Sequence, residues 1–67
     1  MITEIGITAG EIWHCLEGRN EATLDEIVQN AHVKRELVLM SLGWLAREGH
    51  VFVRDDNGVY RASLKRK

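Results

Sequence analysis

The chain has 67 residues, ten acidic and nine basic, and its formal net charge of −1 does not by itself indicate a polyanionic partner. A chain of this length predicts one domain over residues 1–67 with a thin core, because only about 60% of its unfolded surface can be buried. Its single cysteine, Cys15, excludes a disulfide within the chain, so oligomerisation is the common remaining support for such a small core.

The N-terminal segment and the length of the aliphatic runs indicate whether a signal peptide or a membrane-spanning helix is expected. Residues 1–8 contain no basic segment and no long apolar run, and the longest aliphatic run covers only residues 37–40. These features predict neither a signal peptide nor a membrane-spanning helix. A reducing cytoplasmic location is therefore the default expectation.

The charges are unevenly distributed along the chain. Residues 1–30 hold six acidic residues and one basic residue, whereas residues 31–67 hold eight basic and four acidic residues. The two parts therefore carry net charges of −5 and +4. The basic part favours a phosphate-bearing partner. The alternative is that the charges pair within the fold, where exposed pairs contribute little.

The first predicted helix begins with a capping box. Thr8 as N-cap and Glu11 three residues later can bond each other's backbone amides, and Ile7 and Ile12 occupy the positions of a hydrophobic staple. Gly18 is the predicted stop. Helical spacing predicts a buried face formed by Ala9, Ile12, Trp13 and Leu16.

The second predicted helix follows a segment, residues 21–23, that has the length of a short strand. Thr23 and Glu26 repeat the capping box. The predicted buried face consists of Leu24, Ile27, Val28 and Ala31. In the turn that follows, Asn30 and His32 are the residues that best tolerate a positive φ. We therefore interpret His32 as a residue that allows the backbone to turn, rather than as a metal ligand.

The third predicted helix lies within residues 34–49, and its two faces differ in chemistry. A helical wheel places Val38, Ser41, Leu42 and Leu45 on the buried face. The same wheel places Glu36, Met40, Gly43 and Arg47 on the outward face. Base edges are usually read by Arg, Lys, Asn, Gln or Ser, so this face predicts little base-specific recognition. Its apolar surroundings predict instead a protein interface formed by Leu39, Met40, Trp44 and Phe52, with a homodimer as one form.

A β-hairpin is predicted at the C-terminal end, since Asn57-Gly58 is a two-residue turn signal. The turn predicts a register that pairs Asp56 with Val59, Asp55 with Tyr60, Arg54 with Arg61 and Val53 with Ala62. Alternation then predicts a core face made of Val51, Val53, Tyr60, Ala62 and Leu64.

Four basic residues are candidate phosphate contacts: Lys34, Arg35, Arg54 and Arg61. Two arginines that face each other across the hairpin repel, which indicates an anion beside them. The anion is either a phosphate or, at least equally well, Asp55, Asp56 or Glu48 of the same chain. Carboxylates at the wing tip disfavour minor-groove insertion. The tail, residues 65–67, is a further candidate for contact with phosphate.

The order of elements predicts an α+β, mainly helical winged helix-turn-helix: a helix, a short strand, two helices and a hairpin wing. Residues 5–16 (IGITAGEIWHCL) and 41–51 (SLGWLAREGHV) resemble a family of small stand-alone winged helix-turn-helix proteins of bacteria and archaea whose function is catalogued as unknown. The resemblance implies this fold and a bacterial or archaeal cytoplasmic setting, and it implies no binding residues.

No residue pattern indicates catalysis, a cofactor, a small-molecule ligand or a metal, because Cys15 and the three histidines lack zinc-site spacing. Two hypotheses follow for a non-enzymatic module. The first is a DNA-binding or transcription-associated protein that contacts mainly phosphates. The second is a protein-interaction or dimerisation module that uses the apolar outer face of the third helix.

Overall fold

The computed structural model describes residues 1–65 and consists of three helices and a three-stranded antiparallel sheet. The elements in chain order are α1 (Ile2–Glu17), β1 (Ala22–Thr23), α2 (Leu24–Ala31), α3 (Arg35–Arg47), β2 (Val51–Asp56) and β3 (Val59–Leu64). The strand order β1-β3-β2 makes β3 central and β2 an edge strand. This is the predicted winged helix-turn-helix. Two residues of the predicted tail contact, Arg66 and Lys67, lie outside the described part of the chain.

Helix α1 begins well before the predicted start, so the capping-box prediction at Thr8 was wrong. Its N-cap is Met1, and Thr8 lies buried in the helix. The terminal ammonium lies 2.9 Å from Oε1 of Glu4, and the hydrogen bond between them lowers the pKa of Glu4. A local capping box contributes only about 1 kcal/mol, and continuing a formed helix gains a hydrogen bond per residue. The longer helix therefore prevails over the local signal.

Helix α2 begins and ends as predicted. The backbone amide of Thr23 donates to Oε1 of Glu26 at 2.8 Å, and the amide of Glu26 donates to Oγ1 of Thr23 at 3.2 Å. The first of these bonds lowers the pKa of Glu26. At the other end His32 has a φ of 55° and its amide donates to the Val28 carbonyl at 3.2 Å. His32 is therefore the residue that closes the helix in the left-handed conformation.

Thr23→Ala is expected to lower the free energy of unfolding by about 1 kcal/mol, because it removes the oxygen that caps α2. Urea unfolding followed by circular dichroism measures this change. Thr23→Ser, which keeps the hydroxyl, is the matched control and should retain most of the stability. Equal losses in the two variants would show that the methyl group, and not the cap, matters.

One hydrophobic core lies between the three helices and the base of the sheet. Its buried apolar members are Ala9, Ile12, Leu16, Ala22, Leu24, Ile27, Ala31, Val38, Leu42, Leu45, Val51 and Ala62. Ser41 is also buried, and its Oγ donates to the Leu37 carbonyl at 2.8 Å. The four residues predicted for the buried face of α3 are thus all buried. Within residues 1–65 no helix is long and apolar enough to cross a membrane.

The hairpin forms with the predicted register, from Val51 opposite Leu64 to Asp56 opposite Val59. Asn57 and Gly58 both have positive φ, 53° and 86°, as a two-residue turn of this twist requires. The predicted core face is only half correct: Val51 and Ala62 are buried, whereas Val53 and Tyr60 are 40% and 45% exposed. Val53 and Tyr60 line an open hollow between α3 and the wing, so α3 does not pack closely against the sheet at these two positions.

Candidate functional site

An apolar hollow lies between α3 and the wing. We call it the wing groove; it is lined by Leu39, Leu42, Gly43, Ala46, Val53 and Tyr60 and has a volume of about 360 Å³. A Cβ atom at Gly43 would meet no other atom within 4 Å, so the groove is open at this position. Sequence reasoning missed the groove because Val53 and Tyr60 fall on the face of the hairpin that the alternation of side chains assigns to the core. Alternation shows which residues share a face, but it does not show whether a helix packs closely against that face.

The four residues predicted as a protein interface lie on different surfaces. Leu39 lines the wing groove. Trp44 lies between α1 and α3, in a hollow shared with Ile2 and Ile5. Phe52 points to the face of the wing opposite Val53, as its position in the strand requires. Met40 lies on the outward side of α3 and is 43% exposed. The structure therefore does not bring these four side chains together into one continuous patch.

Trp13 and Trp44 together line a second hollow between α1 and α3. Trp13 is half-buried against the core, and its ring meets that of His50 edge to face, with the centroids 5.1 Å apart. Trp44, in contrast, is 48% exposed. Trp13 thus belongs to the packed structure, as predicted, while Trp44 borders solvent.

Four charged side chains form what we call the wing ion cluster: Glu21, Arg54, Asp56 and Arg61. Nε of Arg54 donates to Oε2 of Glu21 at 3.2 Å and its Nη2 donates to Oε1 at 3.3 Å. This two-pronged contact raises the pKa of Arg54. Nε of Arg61 donates to Oδ2 of Asp56 at 3.1 Å, and Nη1 of Arg61 lies 3.8 Å from Oε1 of Glu21.

Strand pairing explains the cluster. Thr23 of β1 lies opposite Arg61, and Arg61 lies opposite Arg54 of β2, so all three share one face of the sheet. Glu21 is two residues from Thr23 and falls on that face too. The opposed arginines therefore have carboxylate neighbours from the same chain. Asp56 is one that the sequence suggested, and Glu21 is one that it did not.

The other two candidate phosphate contacts lie at the start of α3. Arg35 pairs with Asp25, with Nη1 2.7 Å from Oδ1, and both side chains are largely exposed. Lys34 is the N-cap residue of α3 and is exposed. Among residues 1–65 no carboxylate lies within ion-pairing distance of the Lys34 ammonium.

The polar residues elsewhere form no metal site: across residues 1–65 no three His, Cys, Asp or Glu side chains are placed to hold an ion together. Nδ1 of His14 lies 3.0 Å from Oε1 of Glu17 on the exposed side of α1. Cys15 is a half-buried free thiol next to the core.

Comparisons with known proteins agree on the architecture. A family model described as "Winged helix-turn-helix domain (DUF2582)" matches residues 1–63. The uncharacterised protein MJ1608 of Methanocaldococcus jannaschii is 38% identical over 64 residues, which cover 92% of this chain and 91% of the relative.

Two solved structures are similar to this one. Protein BT2368 of Bacteroides thetaiotaomicron has a TM-score of 0.80 and 27% identity, over 92% of this chain and 76% of that one. Stf76 from the Sulfolobus islandicus plasmid-virus pSSVx has a TM-score of 0.75 and 26% identity, over 90% of this chain and 83% of that one.

Proposed function

Because the chain belongs to the DUF2582 family of winged helix-turn-helix domains, we propose that it is a non-catalytic DNA-binding module that contacts phosphates rather than base edges. The observation that carries this proposal is the start of α3, where the exposed side chains of Lys34 and Arg35 are adjacent. In helix-turn-helix proteins the N-terminal residues of the corresponding helix face the DNA.

The start of α3 combines three sources of positive potential. Lys34 is exposed and lacks an ion pair within the described chain, and Arg35 follows it directly. The first amides of the helix add the positive end of its dipole. The Arg35–Asp25 contact is exposed, and such pairs are worth only about 0–1 kcal/mol. A DNA phosphate can therefore replace Asp25 as the partner of Arg35 at little cost.

The wing arginines are secondary contacts in this proposal. Arg54 and Arg61 share Glu21 and Asp56 as partners, so the wing ion cluster has no net charge. A phosphate that approached these arginines would also approach the two carboxylates. We therefore assign the main phosphate contacts to Lys34 and Arg35.

Little sequence preference is expected, because the outward residues of α3 offer few groups that match base edges. Glu36, Met40, Gly43 and Arg47 are all exposed, and only Arg47 has donors suited to a guanine. Binding of this kind is governed by counterion release and has a Kd on the order of 10⁻⁴ to 10⁻⁶ M at physiological salt.

Fluorescence anisotropy with a labelled generic duplex, over a range of salt concentrations, tests the proposal. Each phosphate contact contributes about 0.9 to the slope of log K against log salt, so the double variant Lys34→Ala, Arg35→Ala should reduce the slope by about 1.8. Arg47→Ala, an exposed cation at the other end of α3, is the matched control and should change the slope less. Absence of binding by the wild-type chain at low salt would refute DNA binding.

A second candidate function is supported by the wing groove. Its lining side chains are aliphatic or aromatic. Leu39 in this lining is 42% exposed, and Met40, on the outward side of the same helix, is 43% exposed. Apolar surface of this kind is typical of protein interfaces. Under this hypothesis light scattering should detect a dimer that Met40→Glu dissociates. A monomer of unchanged mass would exclude the homodimeric form.

A further inference from the structure

Within residues 1–65, the edge strand β2 has one side without a backbone partner. In a two-residue hairpin the hydrogen-bonded pairs alternate from the turn outward, so Asp56, Arg54 and Phe52 bond to β3. The bond at 2.9 Å from the amide of Lys65 to the carbonyl of His50 continues this alternation. The amide and carbonyl groups of Val51, Val53 and Asp55 consequently point away from the sheet.

This free side lacks most of the features that usually prevent edge strands from pairing. Edge strands are commonly short, bulged, charged, interrupted by proline or covered by another element. Strand β2 carries charged side chains in its second half, at Arg54, Asp55 and Asp56. Strand β2 has six residues in unbroken register with β3, and the chain contains no proline. Two apolar side chains near its middle, Phe52 and Val53, are 58% and 40% exposed.

We infer that β2 pairs with β2 of a second copy of this chain, in antiparallel orientation, around a twofold axis at Val53. The two three-stranded sheets then join into one sheet of six strands. Val53 lies opposite the partner's Val53, and Val51 lies opposite the partner's Asp55. All three residues with outward backbone groups thereby find partners, and the contact forms six backbone hydrogen bonds, two for each pair.

The side chains select this register. On the outer face Phe52 lies opposite the partner's Arg54, an aromatic–cation pair that is favourable across strands. A twofold axis at Arg54 would place two arginines against each other and form only four hydrogen bonds. A twofold axis at Phe52 would also form only four backbone hydrogen bonds. Shifts by an odd number of residues would set the core face of one copy against the outer face of the other.

The proposed contact leaves the start of α3 and Met40 outside the paired strands. It is therefore independent of the DNA-binding proposal and differs from a dimer formed by the outer face of α3. It also provides the additional buried surface that a core of this size generally needs.

Site-directed crosslinking tests the register. In a Cys15→Ser background, Val53→Cys should form an intermolecular disulfide under mild oxidation, because hydrogen-bonded antiparallel partners have Cα atoms about 5.5 Å apart. Val59→Cys is the matched control: Val59 is similarly exposed, at 44%, but lies on the central strand β3. We expect crosslinking of the Val53 variant to be at least about tenfold faster. Equal rates in the two variants, or no crosslink in either, would overturn the proposal.

Sedimentation velocity of the full chain at high micromolar concentration tests the contact itself. The wild type should sediment as a dimer, and Val53→Pro should sediment as a monomer, since it removes a donor that the protomer does not use. Val53→Lys, an edge-protecting substitution, should also be monomeric and does not depend on the tolerance of the strand for proline. Met40→Glu should remain dimeric. A monomeric wild type, or a dimer that Met40→Glu dissociates and Val53→Lys does not, contradicts the inference.

Discussion

Replacing Ile12 with alanine is expected to remove a large part of the stability of this protein. Ile12 is completely buried on α1 at the centre of the core. Truncation of a buried isoleucine to alanine costs about 2–5 kcal/mol, the sum of lost transfer free energy and the cavity that remains. A domain of this length has a total stability of roughly 3–10 kcal/mol. The variant should therefore lose a large share of its stability and unfold at a markedly lower urea concentration than the wild type.

Urea denaturation followed by circular dichroism measures this loss. Ile7→Ala is the matched control, because it makes the same substitution on the same helix at a position that is 62% exposed. Its effect should stay within about 0.5 kcal/mol. If Ile12→Ala lowers the free energy of unfolding by less than about 1 kcal/mol, the core around α1 rearranges to fill the cavity.

Glu21→Gln is expected to strengthen DNA binding, provided that the proposed function is correct. Glu21 holds Arg54 with two hydrogen bonds and lies within ion-pairing distance of Arg61. Removing its charge leaves the wing ion cluster with two arginines and Asp56 alone. Arg61 remains paired with Asp56, whereas Arg54 loses its two-pronged partner and becomes available to phosphate. One additional contact would raise the ratio of affinities at about 50 and 200 mM salt by about three- to fourfold.

The measurement is the salt dependence of anisotropy on the same generic duplex. Glu11→Gln is the matched control, because Glu11 is an exposed acid on α1 and its loss changes the net charge equally. If Glu21→Gln and Glu11→Gln increase the affinity for DNA equally, the increase results from the change in net charge. If Glu21→Gln leaves both affinity and slope unchanged, the outer face of the wing does not approach DNA.

Local features of the sequence were sufficient to predict much of this fold. The capping box of α2, the buried face of α3 and the register of the hairpin each depend on residues close together in the chain. Their signals are an N-cap with its glutamate, a 3.6-residue period and an Asn-Gly turn. The structure confirms all three.

The remaining features depend on distances that no local pattern contains. Thr8 has the chemistry of an N-cap, but the preceding residues can also form a helix, so the local signal did not decide the boundary. Val53 and Tyr60 lie on the predicted face of the hairpin, but their burial depends on how closely α3 packs against that face. Glu21 joins Arg54 across 33 positions of sequence, and only strand pairing brings the two together. The candidate phosphate contacts were thus identifiable by residue type, whereas their carboxylate partners were not.

The two tryptophans have different environments, so the intrinsic fluorescence of the wild-type chain can report on two different regions. Emission from Trp13, which is half-buried beside His50, should respond to global unfolding. Emission from Trp44, which borders solvent at the junction of α1 and α3, should be the component most accessible to a small aqueous quencher. Accessibility to quencher can therefore distinguish a partner that covers this junction from one that binds at the edge of the wing, without any attached dye.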